Sequence, residues 1–502
     1  MSIIKKFDNI EVVEGIDLTK PYTSATLIHD KTVMVDLSFA HRDKQYLLNR
    51  IQFWKNWYRR NNFKQIMVAS DPTMDSICML FAAAETGVVL LTGNLSDGVD
   101  PYMRRSDGAE HHFINPYFTV DWLDFRHIDQ SPIAHLPITL MHENEFTRLF
   151  EEEVPTYVPE YINNDNTLII GEVTGVADTR VANTCFNFLY GGVLSMPLYE
   201  EGDKFGSANG ITHLGLVTKV VLAPLYKGVT FYTVQNFYDL VFMARRGLFT
   251  KLWFYDIHLK LTEWHPNFSM PIDCFKGCTI FCGGTKPGPK LMDQLFDAGG
   301  AKNLISFYGT FMAAGPIFLL DIPDRQFDVY GASLGKPSNG TLWKIVDGQL
   351  WVKSPCQNPH AKVDNEGYFN TFDYVRPHAD GGCIFMGRDF RILPNGDRVF
   401  GIELQDSVQW AIDEDLFYGE YQIELPPAGT DTFNLYPLSK VSKRVLERNQ
   451  ANILTSIQER LEDKGITKIV IHKIVADANL FQGRIMLSRI KKLLAEGIVH
   501  EY

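Results

Sequence analysis

Residues 63–91 read FKQIMVAS, then DPTMDSICMLFAAAETG, then VVLL. The first run, residues 63–70, is apolar and rich in β-branched and long aliphatic side chains, which suits a strand buried on both faces. The second, residues 71–87, offers Asp71 as N-cap, Pro72 at the first helical position and Gly87 as a stop, so it predicts a helix. The third, residues 88–91, is again a short buried strand. Strand, helix and strand in under thirty residues imply a parallel pair with a covering crossover. The same rhythm returns at 215–230. It returns again at 279–308, where a strand, a Gly-rich turn, a helix over 290–298 and a strand over 303–307 follow each other. The fold class is therefore α/β.

The texture changes after residue 330. Short strands and Gly, Pro and Asn turns dominate at 333–344, 349–354, 367–370 and 383–385, which predicts a small antiparallel or barrel-like unit. Beyond Gly387 the pattern predicts helices over 438–464 and 483–494, with a strand over 468–473 between them. That tail reads as a separate α+β unit. The whole chain has 502 residues, enough for about three compact units, with 45% hydrophobic and 22% charged residues. Collagen, coiled coil and disulfide-scaffold classes are excluded by this composition.

The net charge is −12, from 48 Lys+Arg against 60 Asp+Glu. This argues against a general nucleic-acid binder, which needs clustered cations to neutralise phosphates. The first residues, MSIIKKFDNIEVVEG, lack the apolar stretch of a secretory signal. No run approaches the length of a membrane span. Seven scattered cysteines read as reduced thiols in a cytoplasmic protein. Cys274, Cys278 and Cys282 fall at intervals of four, but no fourth ligand stands at zinc spacing, so no metal site is expected there.

Five short segments carry candidate chemistry. Thr167-Leu-Ile-Ile-Gly-Glu-Val-Thr174-Gly175 is a strand entering a small polar loop, whose N–H groups suit phosphates, although the Walker pattern is absent. Phe307-Tyr308-Gly309-Thr310 ends a strand in a small-residue turn, where an aromatic ring either stacks on a flat base or belongs to the core. Gly367-Tyr-Phe-Asn-Thr-Phe-Asp373 places a carboxylate at a strand end, able to accept from two hydroxyls of a ribose. Gly387-Arg388 opens a charged turn, and Gln482-Gly-Arg484 sets a cation after a flexible Gly.

The order of these segments resembles the adenylate-forming superfamily of acyl-CoA synthetases, nonribosomal-peptide adenylation domains and luciferases. Gly331-Ala-Ser-Leu-Gly-Lys-Pro is similar to that family's G-x-x-G-x-P turn, and Val346-Asp-Gly-Gln-Leu-Trp-Val-Lys-Ser-Pro to its "dGel.v.gp" strand. Tyr368-Phe-Asn-Thr-Phe-Asp resembles "wf.TGD". Gly387-Arg388, Gly396-Asp-Arg-Val and Glu403 resemble its crossover motif. The likeness runs from about residue 45 to the end.

The resemblance implies a large N-terminal part over 1–388, with two β-α-β sheets and a small β-barrel. It implies a small mobile α+β lid over 389–502, hinged after Gly387-Arg388 near Asp389 or Arg391. It implies ATP and Mg²⁺, a small carboxylic acid activated as acyl-AMP, and a thiol acceptor such as CoA or a carrier protein. Carried over, Asp373 holds the ribose hydroxyls, Arg388 assists there and Tyr308 stacks near adenine. Gly283, Gly284 and Thr285 line the acyl and adenine side, and His213 stands where the family has an aromatic or His gate.

The chain departs from the family where charge matters. Thr174-Gly175 is kept, but Asp178 stands at the loop's Lys position, with Arg180 two residues later. Met312 occupies the place of the Mg²⁺-binding Glu, and Phe311 that of the Thr. Arg484 replaces the lid's catalytic Lys, and Phe372 replaces the Gly of "TGD". Two classes of function stay open: a ligase in which Arg180 and Arg484 supply the missing charge, or a catalytically reduced relative that binds a nucleotide or acyl ligand or serves as an interaction protein.

Overall fold

The computed structural model describes residues 21–471 apart from 70–72, 93–98, 116–124, 173–179, 208–216, 235–236, 255–271, 284–291, 311, 324–332, 339, 380, 389, 397, 413–420, 428, 438–439, 461–465 and 467. The opening β-α-β unit is present. Strands Gln65–Ala69 and Val89–Thr92 pair in parallel, and helix Met74–Thr86 crosses between them. The helix starts later than Asp71 predicts. Its N-cap is Thr73, which forms a reciprocal capping box with Ser76, satisfying two N–H groups that a helix start leaves open. Gly87 ends it at φ 75°, the left-handed conformation that favours glycine.

That unit belongs to a six-stranded sheet. Its spatial order is Ile138–Leu140, His111–Ile114, Gln65–Ala69, Val89–Thr92, Thr167–Glu172 and Arg180–Thr184, parallel except for the last pair. A nine-stranded sheet holds a second parallel run: Val33–Val35, Thr230–Tyr232, Lys204–Ser207, Lys251–Trp253, Thr279–Gly283 and Asn303–Tyr308. Helix Cys185–Ser195 is buried along all of its residues. A helix with no polar face has to be covered all round, and this one shares a core with Ile66 and Leu168 of the first sheet and Phe205 and Phe281 of the second.

Past residue 341, strands Leu342–Val346, Gln349–Lys353, Phe369–Pro377 and Cys383–Gly387 form an antiparallel meander. Among the described residues these four strands pair in chain order, and Ser333 adds an antiparallel bridge to Ile384 of the last strand. From Leu393 onward a separate apolar cluster contains Val399, Leu404, Phe433, Leu435, Ile453 and Ile469. The expected helix over 438–464 is two helices, Lys440–Arg448 and Gln450–Arg460, on either side of Asn449. The side-chain amide of Asn449 donates back to the Val445 carbonyl at 3.0 Å. The strand expected at 468–473 is Lys468–Ile471, and the helix expected at 483–494 lies outside the described residues. Of the helix expected over 290–298, residues 290 and 291 lie outside the described residues and Asp293–Ala298 forms a π-helical turn. No helix among the described residues is long and apolar enough to cross a membrane.

All seven cysteines are buried. Burial pushes the Cys278 thiol up to about 11 and the Cys274 thiol up to about 12. Protonated thiols are poor metal ligands, and no metal-holding group of His, Cys, Asp and Glu exists among the described residues.

The first sheet also buries a histidine. His112 on strand His111–Ile114 is 1% exposed, and its Nδ1 shares a 2.8 Å hydrogen bond with the Tyr102 hydroxyl. Burial, with His111 and His135 nearby, lowers its pKa to about 4. The unfolded chain, with an ordinary His near 6.5, therefore binds the proton first as pH falls. Stability should be full above pH 6.5 and decline between 6.5 and 4. At about 1.4 kcal/mol per pKa unit, the loss from pH 7 to pH 5 is roughly 2 kcal/mol. Urea unfolding at the two pH values should show this loss in the native chain and a smaller one in His112→Gln. Equal losses in both would remove His112 from the account.

Candidate functional site

Strand Asn303–Tyr308 brings Tyr308 to the carboxyl edge of the parallel run, beside the ends of Thr279–Gly283 and Lys251–Trp253. Ligands in open α/β sheets bind at such edges. Gly283 faces Phe307 in register, and a Cβ there would lie 3.2 Å from the Phe307 carbonyl oxygen, so the two strand ends approach closely because one lacks a side chain.

The meander brings a charged pair to the same place. Tyr374 faces Gly387 across strands Phe369–Pro377 and Cys383–Gly387. In an antiparallel pair the next step on each strand sets Asp373 opposite Arg388. Arg388 Nε donates to Asp373 Oδ1 at 2.7 Å, and the Tyr308 hydroxyl donates to Oδ2 in a short hydrogen bond. Asp373 is 2% exposed, while Tyr308 is half-buried and Arg388 is exposed. The Tyr308 phenol is pushed well above its ordinary pKa by burial and then by the Asp373 charge, so it stays a proton donor.

Backbone geometry aims the carboxylate. Thr371 Oγ accepts from the Asp373 N–H at 3.2 Å and donates to the Leu350 carbonyl at 2.9 Å. Between them Phe372 sits at φ 62° and is 55% exposed. That left-handed conformation costs a side-chain-bearing residue roughly 1–2 kcal/mol. The backbone at this position thus keeps a shape suited to Gly although the residue is Phe. Sequence reading missed Thr371 as a positioning residue, because a strand threonine carries no signal of its own.

Tyr308 was expected to offer its ring to adenine. Its hydroxyl is committed to Asp373, and its ring packs edge-on against Phe318 with centroids 6.0 Å apart. Gly309 is exposed, and Thr310 Oγ accepts from the Met312 N–H at 2.8 Å, closing the turn on itself. Met312 packs against the apolar cluster of Ile317, Phe318, Leu350 and Phe369. A thioether is a poor ligand for a hard cation that wants oxygen, so Mg²⁺ does not fit this position.

Arg180 is exposed, and its guanidinium donates to the main-chain carbonyls of Arg104, Arg105 and Asp107. These carbonyls lie at and just beyond the end of helix Val99–Arg105, a favourable place for a cation. The structure does not join Arg180 to the Asp373 cluster. Asn358 was unforeseen. Its N–H donates to the Met312 carbonyl at 2.7 Å and its side chain to the Ala182 carbonyl at 2.5 Å, linking the turn after Tyr308 to strand Arg180–Thr184. Thr174, Gly175, Asp178, His213, Gly284, Thr285, Phe311, Asp389 and Arg484 lie outside the described residues.

No protein-family model matches the sequence, and no curated protein sequence does. Solved structures match over nearly the full length. The anthranilate CoA ligase AuaEII in complex with anthranoyl-AMP superimposes with a TM-score of 0.70, at 13% identity, covering 97% of this chain and 100% of that one. The McyG A-PCP complexed with phenylalanyl-adenylate gives 0.70 and 13%, covering 97% of both chains. The Bacillus subtilis O-succinylbenzoate coenzyme A synthetase MenE, in complex with ATP and magnesium ion, gives 0.69 and 15%, covering 94% of this chain and 99% of that one.

The chain has the adenylate-forming fold. Tyr308, Asp373 and Arg388, three residues that the motif order singles out, meet in one hydrogen-bonded cluster.

Proposed function

We propose that this chain is an AMP-forming ligase that activates a small carboxylic acid and passes the acyl group to a thiol. In the first step a carboxylate oxygen attacks the α-phosphorus of ATP, the bond to the bridging oxygen breaks, and pyrophosphate leaves. In the second, a thiol sulfur attacks the acyl carbon, AMP leaves, and the thiol proton goes to solvent. The observation that carries this reading is the Asp373 cluster at the carboxyl edge of an adenylate-forming fold.

Asp373 has about four acceptor sites and uses two of them on Tyr308 and Arg388. A ribose diol takes the remaining sites or displaces the exposed Arg388. Arg388 Nε and the protonated Tyr308 hydroxyl, one on each carboxylate oxygen, fix the orientation of Asp373. Thr174, Gly175, Gly283, Gly284, Thr285, Gly309 and Thr310 are proposed to frame the nucleotide. Arg484, and Arg180 once released from the carbonyls it now holds, are proposed as the phosphate cations. No step is assigned to Mg²⁺, because Met312 cannot hold it. Residues 389–502 are proposed as a mobile lid, CoA or a carrier protein as the acceptor, and the cytoplasm as the location.

A second reading is favoured by Met312 in its apolar cluster and by Arg180 at a helix end: a nucleotide-binding relative without turnover. Pyrophosphate exchange and AMP release, assayed with a panel of carboxylic acids, separate the two. The ligase reading expects acid-dependent turnover. Each lost electrostatic group slows the first step by about 10²–10³, so long incubations are required. Nucleotide-dependent thermal stabilisation without turnover for any acid would establish the second reading instead.

A further inference from the structure

Strand Lys251–Trp253 ends at the carboxyl edge that carries Tyr308, and its last residue holds a polar group without a partner. Trp253 is 1% exposed, faces Phe281 in register and stacks on Phe307 with ring centroids 4.9 Å apart. Its indole Nε1 is buried and has no hydrogen-bond partner among the described residues. Buried tryptophan N–H groups normally find an acceptor, because an unmade hydrogen bond costs the full desolvation of the donor. The indole is a donor only, so the missing partner is an acceptor. The rings of Phe281 and Phe307 that pack against it supply none. A resident water needs about two to four polar partners of its own, which two phenyl rings do not give.

The place of Trp253 in the sheet defines the acceptor. Its stacking partner Phe307 directly precedes Tyr308, whose hydroxyl bonds Asp373 at the proposed nucleoside seat. Trp253, Phe281 and Phe307 belong to the core shared with helix Cys185–Ser195, whereas Leu252, Phe254 and Ile280 pack on the other side of the sheet. The donor therefore stands on the face between the two sheets, at the edge where ligands of open α/β sheets bind. A neutral N–H among aromatic rings can bond a neutral oxygen or nitrogen, but it cannot offset a full negative charge. We propose that Trp253 is a specificity-determining residue of the acid site. Its indole N–H receives a neutral acceptor carried by an otherwise apolar monocarboxylic acid, remote from the carboxylate that is activated. This rests on the ligase reading and narrows its substrate: a second carboxylate is refused, and an acid without the acceptor leaves the donor unpaired.

Calorimetric titration of the chain in the presence of AMP tests this with two isosteric pairs that exchange a ketone for an alkene. The pairs are levulinate against its methylidene analogue, and para-acetylbenzoate against para-isopropenylbenzoate. In the better-binding pair the ketone should bind about tenfold more tightly than the alkene, the effect of one buried hydrogen bond. Terephthalate, with a second carboxylate in place of the acetyl group, should bind at least about tenfold more weakly than para-acetylbenzoate. In Trp253→Phe, ketone and alkene should bind within about twofold of each other, with AMP affinity unchanged. In the chain labelled with ¹⁵N-tryptophan, the Trp253 indole N–H resonance, assigned by its loss in Trp253→Phe, should move downfield with the ketone only. Acid binding without a ketone preference, or a preference that survives Trp253→Phe, would overturn the donor role and leave the ligase reading intact. So would absence of binding by all of these acids in a chain that turns over others. Absence of both binding and turnover would overturn both. If Trp253→Phe fails to fold, the ketone preference of the native chain decides alone.

Discussion

Replacing Asp373 with alanine abolishes the response of the chain to AMP. A carboxylate that accepts from two ribose hydroxyls makes two charge-assisted hydrogen bonds, each contributing roughly 1.5–3 kcal/mol. Their joint loss weakens binding by about a hundredfold or more. The fold should survive, because Arg388 is exposed and water can solvate it once Asp373 is gone. The expected cost in stability is about 1–2 kcal/mol. Asp373→Asn keeps the shape but loses the charge and one acceptor, so it should bind AMP as poorly as the alanine variant. Calorimetry on both variants, alongside urea unfolding, separates loss of the site from loss of the fold. Unchanged AMP affinity in Asp373→Ala would place the nucleoside elsewhere.

Lys55→Met should destabilise the chain by about 3–5 kcal/mol, the largest effect on stability expected of a single substitution. Lys55 is completely buried on helix Lys44–Arg60, and its three donors meet Glu85 and Glu160 at 2.6 Å each and the Val158 carbonyl at 2.7 Å. Glu85 also accepts from the Ser24 N–H at 2.7 Å and from the Tyr157 hydroxyl. Removing the ammonium leaves Glu85 buried as an uncompensated anion. The double variant Lys55→Met with Glu85→Gln should recover part of the loss, since a neutral amide is cheaper to bury than an unpaired carboxylate. Arg50 and Asp75, bonded through both nitrogen–oxygen pairs at 2.8 Å, form a second buried ion pair on the same helix. A loss below about 1 kcal/mol for Lys55→Met would show that Glu85 is hydrated or protonated in the native chain.

The sequence made the parallel sheets legible because their signals are local. Residues 63–91 contain a complete β-α-β unit, and Gly87 stops its helix where expected. The helix start was misplaced, since Thr73 and Ser76 cap each other at the first turn. The meander was harder. How its short strands pair depends on residues far apart in the chain, which no local pattern records. The expected long helix is two, meeting at Asn449, whose side chain bonds the Val445 carbonyl one turn back, a local choice that an apolar periodicity does not record.

At the site, Asp373 and Arg388 were legible as motif residues, and antiparallel register explains their contact after the fact. Thr371 and Asn358 were not, because single polar residues act there through hydrogen bonds to backbone in distant segments. Arg180 illustrates the opposite case. Its charge and spacing suit a phosphate, yet in this structure its guanidinium binds the carbonyls at a helix end.

The most direct test of the account is a crystal structure of the full chain with AMP. The account predicts ribose hydroxyls within hydrogen-bond distance of Asp373, at the carboxyl edge of strand Asn303–Tyr308, with Arg388 beside the sugar. AMP bound away from Asp373, or no AMP at saturating concentration, would contradict it.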